Sequence, residues 1–243
     1  MKKFIYIIPL LIFGFLFNHN IYSQTPISSC GVTISQPGVY YLTNNLTNFV
    51  YNSNLGIYYC INITTNNVII NGNGYWIIGP GESTNSYAIY YNSKSANIEN
   101  VSINNLNILN VGYSIYFYSS FAFSASSNFA AYSDSYINNN LFSNVNIYNS
   151  NYAIYFYSSS SSSTSANSAY SDSYINNNLF SNVNIYNSNY AIYFYSSSSS
   201  STSANSGSSE YSIYSYSYIN NNSFSNVNIY NSSYSIYFYL FLF

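Results

Sequence analysis

The chain has 243 residues; 48% are hydrophobic, 21% aromatic and only 3% charged. Three cations, five anions and one histidine give a formal net charge of −2. Displacing counterions from phosphates needs clustered Lys and Arg; there is no arginine, so nucleic acid is excluded as a partner.

Lys2 and Lys3 precede a mostly apolar run from Phe4 to Phe17, and Ile21, Tyr22 and Ser23 form an acceptable cleavage site before Gln24. This is the layout of a secretory signal peptide over residues 1–23. The apolar run is shorter than the roughly 20 residues that span a bilayer. An uncleaved anchor is the alternative. The expectation is a secreted or cell-surface (envelope) protein with no transmembrane span in the mature chain. Beyond residue 23 the charged residues are one cation, Lys94, and five anions, Glu82, Glu99, Asp134, Asp172 and Glu210, and the single histidine, His19, is expected to leave with the signal peptide.

Residues 24–96 carry short strand signals (YLTNNL, YCINI, NVIING, YWIIG) and the turn signal NGNG at 71–74. They are read as a cap and the first, irregular rungs of a solenoid. Cys30 and Cys60 are expected to pair in an oxidising compartment. Closing that loop stabilises by roughly 3–4 kcal/mol on the chain-entropy account. Two buried free thiols are the alternative. Asn45, Asn62, Asn100, Asn221 and Asn231 stand in glycosylation sequons.

From residue 97 a 22-residue block recurs. It reads YINNNLFSNVNIYNSNYAIYFY at 136–157, returns unchanged at 174–195, and returns as YINNNSFSNVNIYNSSYSIYFY at 218–239. A degraded copy runs over 97–118. Starts are 39, 38 and 44 residues apart, so the inserts at 119–135, 158–173 and 196–217 hold 17, 16 and 22 residues. A constant block with variable inserts marks a solenoid, each block a rung. The Ser- and Tyr-rich inserts are read as mobile or locally disordered loops.

Inside a rung the period is two, the signature of half-buried strands. Ile154 and Phe156 point inward, while Ala153, Tyr155 and Tyr157 point outward. Val145 and Ile147 share the inner face, and Asn146 and Tyr148 the outer. Asn clusters at 138–140, 144 and 149–151 separate the strands, because Asn tolerates left-handed backbone and bonds to it. The predicted fold is all-β: a right-handed, single-stranded parallel β-helix with rungs of about 22 residues stacked about 4.8 Å apart. Like residues then form ladders. Asn105, Asn144, Asn182 and Asn226 are expected to face inward and pair amides along the axis. Tyr148, Tyr186 and Tyr230, then Tyr155, Tyr193 and Tyr237, then Tyr157, Tyr195 and Tyr239 form outward ladders. They are candidates for binding sugar faces or protein partners, or for stiffening the wall.

The stretches SCGVTISQPGVYYLTNNL and CINITTNNVIINGNGYWIIG, with the rung phrase F-S-N-V-N-I-Y-N…Y-A-I-Y-F, resemble secreted right-handed parallel β-helix proteins of the pectin-lyase-like superfamily from archaea and bacteria. The resemblance covers roughly residues 29–240. It implies a fold but no single activity, because that group mixes polysaccharide-degrading enzymes with non-catalytic surface proteins. Its lyases, as the resemblance implies, use calcium-binding carboxylates and an Arg or Lys base, and its hydrolases use grouped aspartates. This chain departs from both patterns, so no catalytic residue and no cofactor are carried over.

Two groupings of charge remain. Glu82, Lys94 and Glu99 are close in sequence and are read as a solvated cluster. Asp134 and Asp172 hold the same repeat position, where stacking would offer two carboxylates to calcium; Tyr216 takes that position in the next copy. The C-terminal SIYFYLFLF is an open apolar last strand that invites self-association. It also resembles the closing strand of an outer-membrane β-barrel, although the strands elsewhere are too short for one. The sequence therefore reads as an exported, non-catalytic surface protein serving adhesion or envelope structure, with cell-surface glycans or envelope proteins as partners. The alternative is a carbohydrate-binding or degenerate polysaccharide-active protein.

Overall fold

A left-handed asparagine closes each short strand of the repeat. Asn139, Asn144 and Asn149 have φ between 53° and 56°, and the same positions are left-handed in the next rung at Asn177, Asn182 and Asn187. Asn pays little to enter this region and turns the chain sharply. Between the bends the β-branched and aromatic residues keep an extended backbone, so the chain coils. The computed structural model describes residues 24–93, 97–125, 130–165, 168–202 and 213–242; residues 1–23, expected as a signal peptide, and Lys94 and Glu210 lie outside them. Among the described residues there is no helix, and the strands form a parallel β-helix.

Three faces wrap the core. One stacks Gly38–Leu42, Val68–Asn71 and the starts of Val101–Ala125, Leu141–Thr164 and Leu179–Thr202, then Ser223–Ser225. The second stacks Trp76–Ile78 on residues 107–109, 146–148 and 184–186 and on Asn228–Tyr230. The third stacks Ile57–Ile63, Ser86–Ser93, residues 113–119, 152–158 and 190–196, and Tyr234–Leu242. Only Val50–Asn52 pairs antiparallel, against Ile57–Ile63, among the described strands. Cys30 and Cys60 are disulfide-bonded across the first rungs.

The core is a set of ladders. Ile115, Ile154 and Ile192 are fully buried, as are Phe117, Phe156 and Phe194. The Phe117, Phe156 and Phe194 rings stack at 5.2 and 5.1 Å, and Phe142, Phe180 and Phe224 stack at 5.0 Å per step. Gly72 lets the second rung close onto the third: a Cβ there would collide with the Asn105 carbonyl and Leu106. The ladder skips position 153, where the strand slips out of period two. Ala153 is therefore fully buried, against the outward placement that alternation predicts, and Ser114 and Ala191 are buried at the same position.

The serine-rich inserts are not loose loops. Their outgoing limbs continue the third face without a break, so that Ser158–Thr164 pairs residue by residue with Ser196–Thr202 at an offset of 38. Their returning limbs form a second parallel sheet: Ile98–Glu99, Ala131–Asn138, Ala169–Asn176 and Ile213–Asn220. Register offsets in both limbs equal the repeat spacings of 39, 38 and 44. The differences in insert length therefore fall between Ala125 and Ala131, between Thr164 and Ala169, and between Thr202 and Ile213. The repeating perimeter is the 22-residue block plus both limbs.

Serine makes the limbs possible because it is small and carries its own donor. Alternate serines of each limb face the other limb and are buried, among them Ser119, Ser135, Ser158, Ser173 and Ser196. Ser135 Oγ donates to the Ser119 carbonyl (3.0 Å), Ser158 Oγ to the Ser135 carbonyl (2.9 Å), Ser173 Oγ to the Ser158 carbonyl (2.8 Å) and Ser196 Oγ to the Ser173 carbonyl (2.9 Å). The zigzag links the two sheets and satisfies hydroxyls that would otherwise be costly to bury. Close, dry packing of small side chains between sheets is the physics of a steric zipper.

The strand Tyr234–Leu242 runs parallel to residues 190–198, and the sheet does not close into a barrel, so the barrel-like reading of the C-terminus does not hold. In the last described rung Phe238 is 51% exposed where Phe194 is 0%.

Two comparisons test this architecture. Phe156→Ala is expected to cost about 3–5 kcal/mol, as for a core phenylalanine, and Phe238→Ala much less, read by chemical denaturation. Ser158→Leu, which overfills the space between limbs, is expected to cost about 1–3 kcal/mol or more, whereas Ser159→Leu on the outer side leaves the midpoint nearly unchanged. Equal effects at Ser158 and Ser159 would mean that the limbs are not packed.

Candidate functional site

The asparagine bends build the outer polar surface. Asn144 Nδ2 donates to Asn105 Oδ1 (3.2 Å), Asn182 to Asn144 (3.2 Å) and Asn226 to Asn182 (3.1 Å). These four are exposed, against the inward placement predicted for them, because left-handed bends turn their side chains out at the corners. The inward ladder belongs to their neighbours. Asn140 is 1% exposed and Asn178 0%, and Asn140 Nδ2 donates to Asn178 Oδ1 and Asn178 Nδ2 to Asn222 Oδ1, each at 2.9 Å. Asn140 Oδ1 also accepts from the Val101 amide, and Asn178 Nδ2 donates to the Ile137 carbonyl. The third residue of the NNN clusters at 138–140 and 176–178 thus fills a buried polar corner that sequence reasoning missed, since only its burial separates it from its neighbours, and the equivalent Asn222 is half-buried.

A third column forms a groove. Asn149 Nδ2 donates to Asn110 Oδ1 (3.0 Å), Asn187 to Asn149 (3.1 Å) and Asn231 to Asn187 (2.9 Å). These residues, with the Asn151–Asn189 pair, Ser150, Ser188 and the Gly81–Ser83 turn, line an open groove of about 1190 Å³. Glu82 is the one charged residue in its lining. Ser150 Oγ shares a 2.6 Å hydrogen bond with Ser114 Oγ. Ser188, its equivalent one rung on, is 3% exposed and its Oγ has no partner.

The tyrosine ladders are present as columns of parallel rings. Tyr148, Tyr186 and Tyr230 stack at 4.8 and 5.0 Å; Tyr155, Tyr193 and Tyr237 at 4.9 and 5.1 Å; Tyr157, Tyr195 and Tyr239 at 4.5 and 5.0 Å. A further column, Tyr87, Tyr113, Tyr152, Tyr190 and Tyr234, interleaves edge-on with the Tyr155 column, at 5.1 Å and 86° between Tyr152 and Tyr155. Stacking covers both faces of each inner ring, leaving edges and hydroxyls outside. A sugar that packs on an aromatic face finds none open between rungs; end rings such as Tyr230, 53% exposed, keep one. Each such pair contributes about 0.5–1.5 kcal/mol beyond its buried area, so the columns brace the wall. Burial, then Tyr237 and other neighbouring phenols, pushes Tyr193 up to about 12, and burial drives Tyr155 higher still. Neither is suited to act as a base near neutrality.

Asp134 and Asp172 are register partners on the returning limbs. Each accepts from a tyrosine two residues on: Tyr136 at 3.3 Å and Tyr174 at 2.9 Å. Tyr216 takes the next step of the ladder. Two carboxylates fall well short of the six to eight oxygens that calcium takes, and no group of three or more His, Cys, Asp or Glu side chains forms among the described residues. Glu82 and Glu99 are not a common site: Glu82 borders the Asn110 groove, and Glu99 starts the returning-limb sheet beside Asn138.

Compared with known proteins, the chain matches no family model, no curated protein and no solved structure. No helix among the described residues is long and apolar enough to cross a membrane.

Burial raises the Asp134 carboxyl above its ordinary value, and the Asp172 charge adds to this. A raised folded-state value means that ionised Asp134 weakens the fold above the carboxylate range, and the penalty disappears as pH falls through it. Asp134→Asn is therefore expected to raise the melting temperature at pH 7 and to lose that advantage near pH 3. A gain independent of pH would show that charge is not the cause.

Proposed function

We propose that the chain is an exported, non-catalytic β-helix of the cell surface, serving adhesion or envelope structure. The carrying observation is what the rungs repeat. Ile and Phe ladders, asparagine bends, tyrosine columns and serine-bonded limbs recur in register, whereas no ionisable side chain other than tyrosine runs through all of them. Catalysis of polysaccharide cleavage needs an acid and a second carboxylate or a base held together. The paired aspartates here are instead bonded to tyrosines. Stacked limbs widen each rung into a flat wing, which suits display of a broad, rigid, nearly uncharged surface. The layout of residues 1–23 and the resemblance to secreted β-helices support export.

Purified protein is expected to release no reducing ends or unsaturated products from a panel of acidic and neutral polysaccharides. Depolymerisation of any of them would overturn the non-catalytic reading. Protease shaving of intact cells is expected to remove the protein, and full protection would place it elsewhere. A carbohydrate-binding role is the second reading, favoured by the asparagine-lined groove more than by the tyrosine columns.

A further inference from the structure

We propose that Tyr136 and Tyr174 form an oxidative crosslinking site, at which a one-electron oxidant of phenols joins the two rings as dityrosine. The returning limbs Ala131–Asn138 and Ala169–Asn176 pair in register, so Tyr174 lies beside Tyr136 although a whole repeat separates them in the chain. Their rings stack at 4.7 Å and 2°. Identical rings in register set like carbons against like carbons. A phenoxyl radical carries its unpaired electron on the oxygen and on the ortho and para ring carbons. The para carbon bears the side chain, so the ortho carbons are the ones free to couple.

Stacking alone does not single out this pair, because Tyr157 and Tyr195 stack at 4.5 Å and 2°. The base beside each hydroxyl does. Tyr136 Oη donates to Asp134 Oδ2 (3.3 Å) and Tyr174 Oη to Asp172 Oδ2 (2.9 Å). Among the described residues these are the two tyrosines whose hydroxyls donate to a carboxylate. Removing an electron from a phenol makes its proton strongly acidic, so an acceptor already in place lets both leave together. Ionising first is the harder route near neutrality. Burial, then the Asp134 charge, pushes Tyr136 up to about 12, and burial with the bond to Asp172 raises Tyr174 as well. Tyr216 stands where a third aspartate would, so Tyr218, stacked on Tyr174 at 4.9 Å, lacks that base.

Each tyrosine gives one electron to the oxidant and one proton to its aspartate. The two radicals form one carbon–carbon bond between ortho carbons, and the hydrogens on those carbons shift to the oxygens, restoring both phenols. With a peroxidase and hydrogen peroxide as the oxidant, two tyrosines and one peroxide give one dityrosine and two waters. A standing contact replaces chance encounter, which favours this pair over coupling between chains. The bond would tie rung to rung on the outer side of the returning limbs, where both rings are half-buried.

Crosslinking goes beyond the surface reading and does not depend on where the protein resides. The full chain at low concentration is exposed to photogenerated tris(bipyridyl)ruthenium(III), a small one-electron oxidant, and read by dityrosine fluorescence and peptide mass spectrometry. A Tyr136–Tyr174 link within one chain is expected, with the loss of two hydrogens and a yield independent of dilution. Tyr136→Phe and Tyr174→Phe keep a stacked ring, and each is expected to remove this link. Asp134→Asn with Asp172→Asn is expected to slow it about tenfold at pH 7, less than a positioned base usually contributes because water substitutes at a half-exposed site. In the parent chain the rate is expected to fall as pH drops through the raised carboxylate range of Asp134, where the acceptor becomes protonated. Circular dichroism checks each fold, and should the double Asn variant fail to fold, the pH dependence carries the test of the base. Absence of the Tyr136–Tyr174 link, an equal or greater yield at Tyr157–Tyr195, or an unchanged rate in the folded double Asn variant would overturn the proposal. Protease shaving reads surface location separately, so either idea can fail alone.

Discussion

Everything in this molecule depends on stacking like on like at the spacing of a parallel ladder. A single rung cannot bury its apolar face alone; it does so only against the copies before and after it. Identity between copies then does more than fill space. Phe156 lies between Phe117 and Phe194 with near-parallel rings, and Tyr155 between Tyr116 and Tyr193. Asn144 donates to the amide oxygen below it and accepts from the amide above. An asparagine or tyrosine column is worth building only if each member finds the same group one step away, so the constraint accounts for repetition of polar as well as apolar positions.

The same constraint explains why a serine-rich segment folds here. Serine runs ordinarily lack the apolar surface to offset the entropy of ordering. In this chain the outgoing limb continues a ladder already set by the core, so its backbone bonds follow with little extra loop closure. Alternate hydroxyls then reach the carbonyls of the opposite limb, and Ala131 and Ala169 fill the places where no bond is made. The wing is therefore held by backbone ladders and hydroxyl bonds between its limbs, with stacked tyrosines such as Tyr132–Tyr170 and Tyr136–Tyr174 along the returning limb.

This economy bears on function. A wall built from asparagine, serine and tyrosine presents many hydrogen-bonding groups and few charges, which suits broad, weak, multivalent contact. The tyrosines, which the sequence offered either as a binding surface or as a brace for the wall, stack face to face between rungs. The asparagine corner keeps spare donors and acceptors because its ladder runs in only one direction.

The repeat, the period-two strands and the asparagine bends determined the solenoid from the sequence alone, because parallel stacking rewards identity and identity is visible in letters. The inner places of Ile154 and Phe156 and the outer places of Tyr155 and Tyr157 followed from alternation. Alternation failed at Ala153, where the ladder skips a residue and the phase shifts, a local slip that no pattern announces. Composition misled at 158–164, where serine suggested a loop, because propensity carries no knowledge of a neighbouring ladder. Which asparagine of NNN turns inward, which serines bond across the limbs, and that the tyrosine faces between rungs are closed were decided only by tertiary structure. Each depends on what the adjacent rung places about 4.8 Å away, and that neighbour lies 38 to 44 residues distant in the chain.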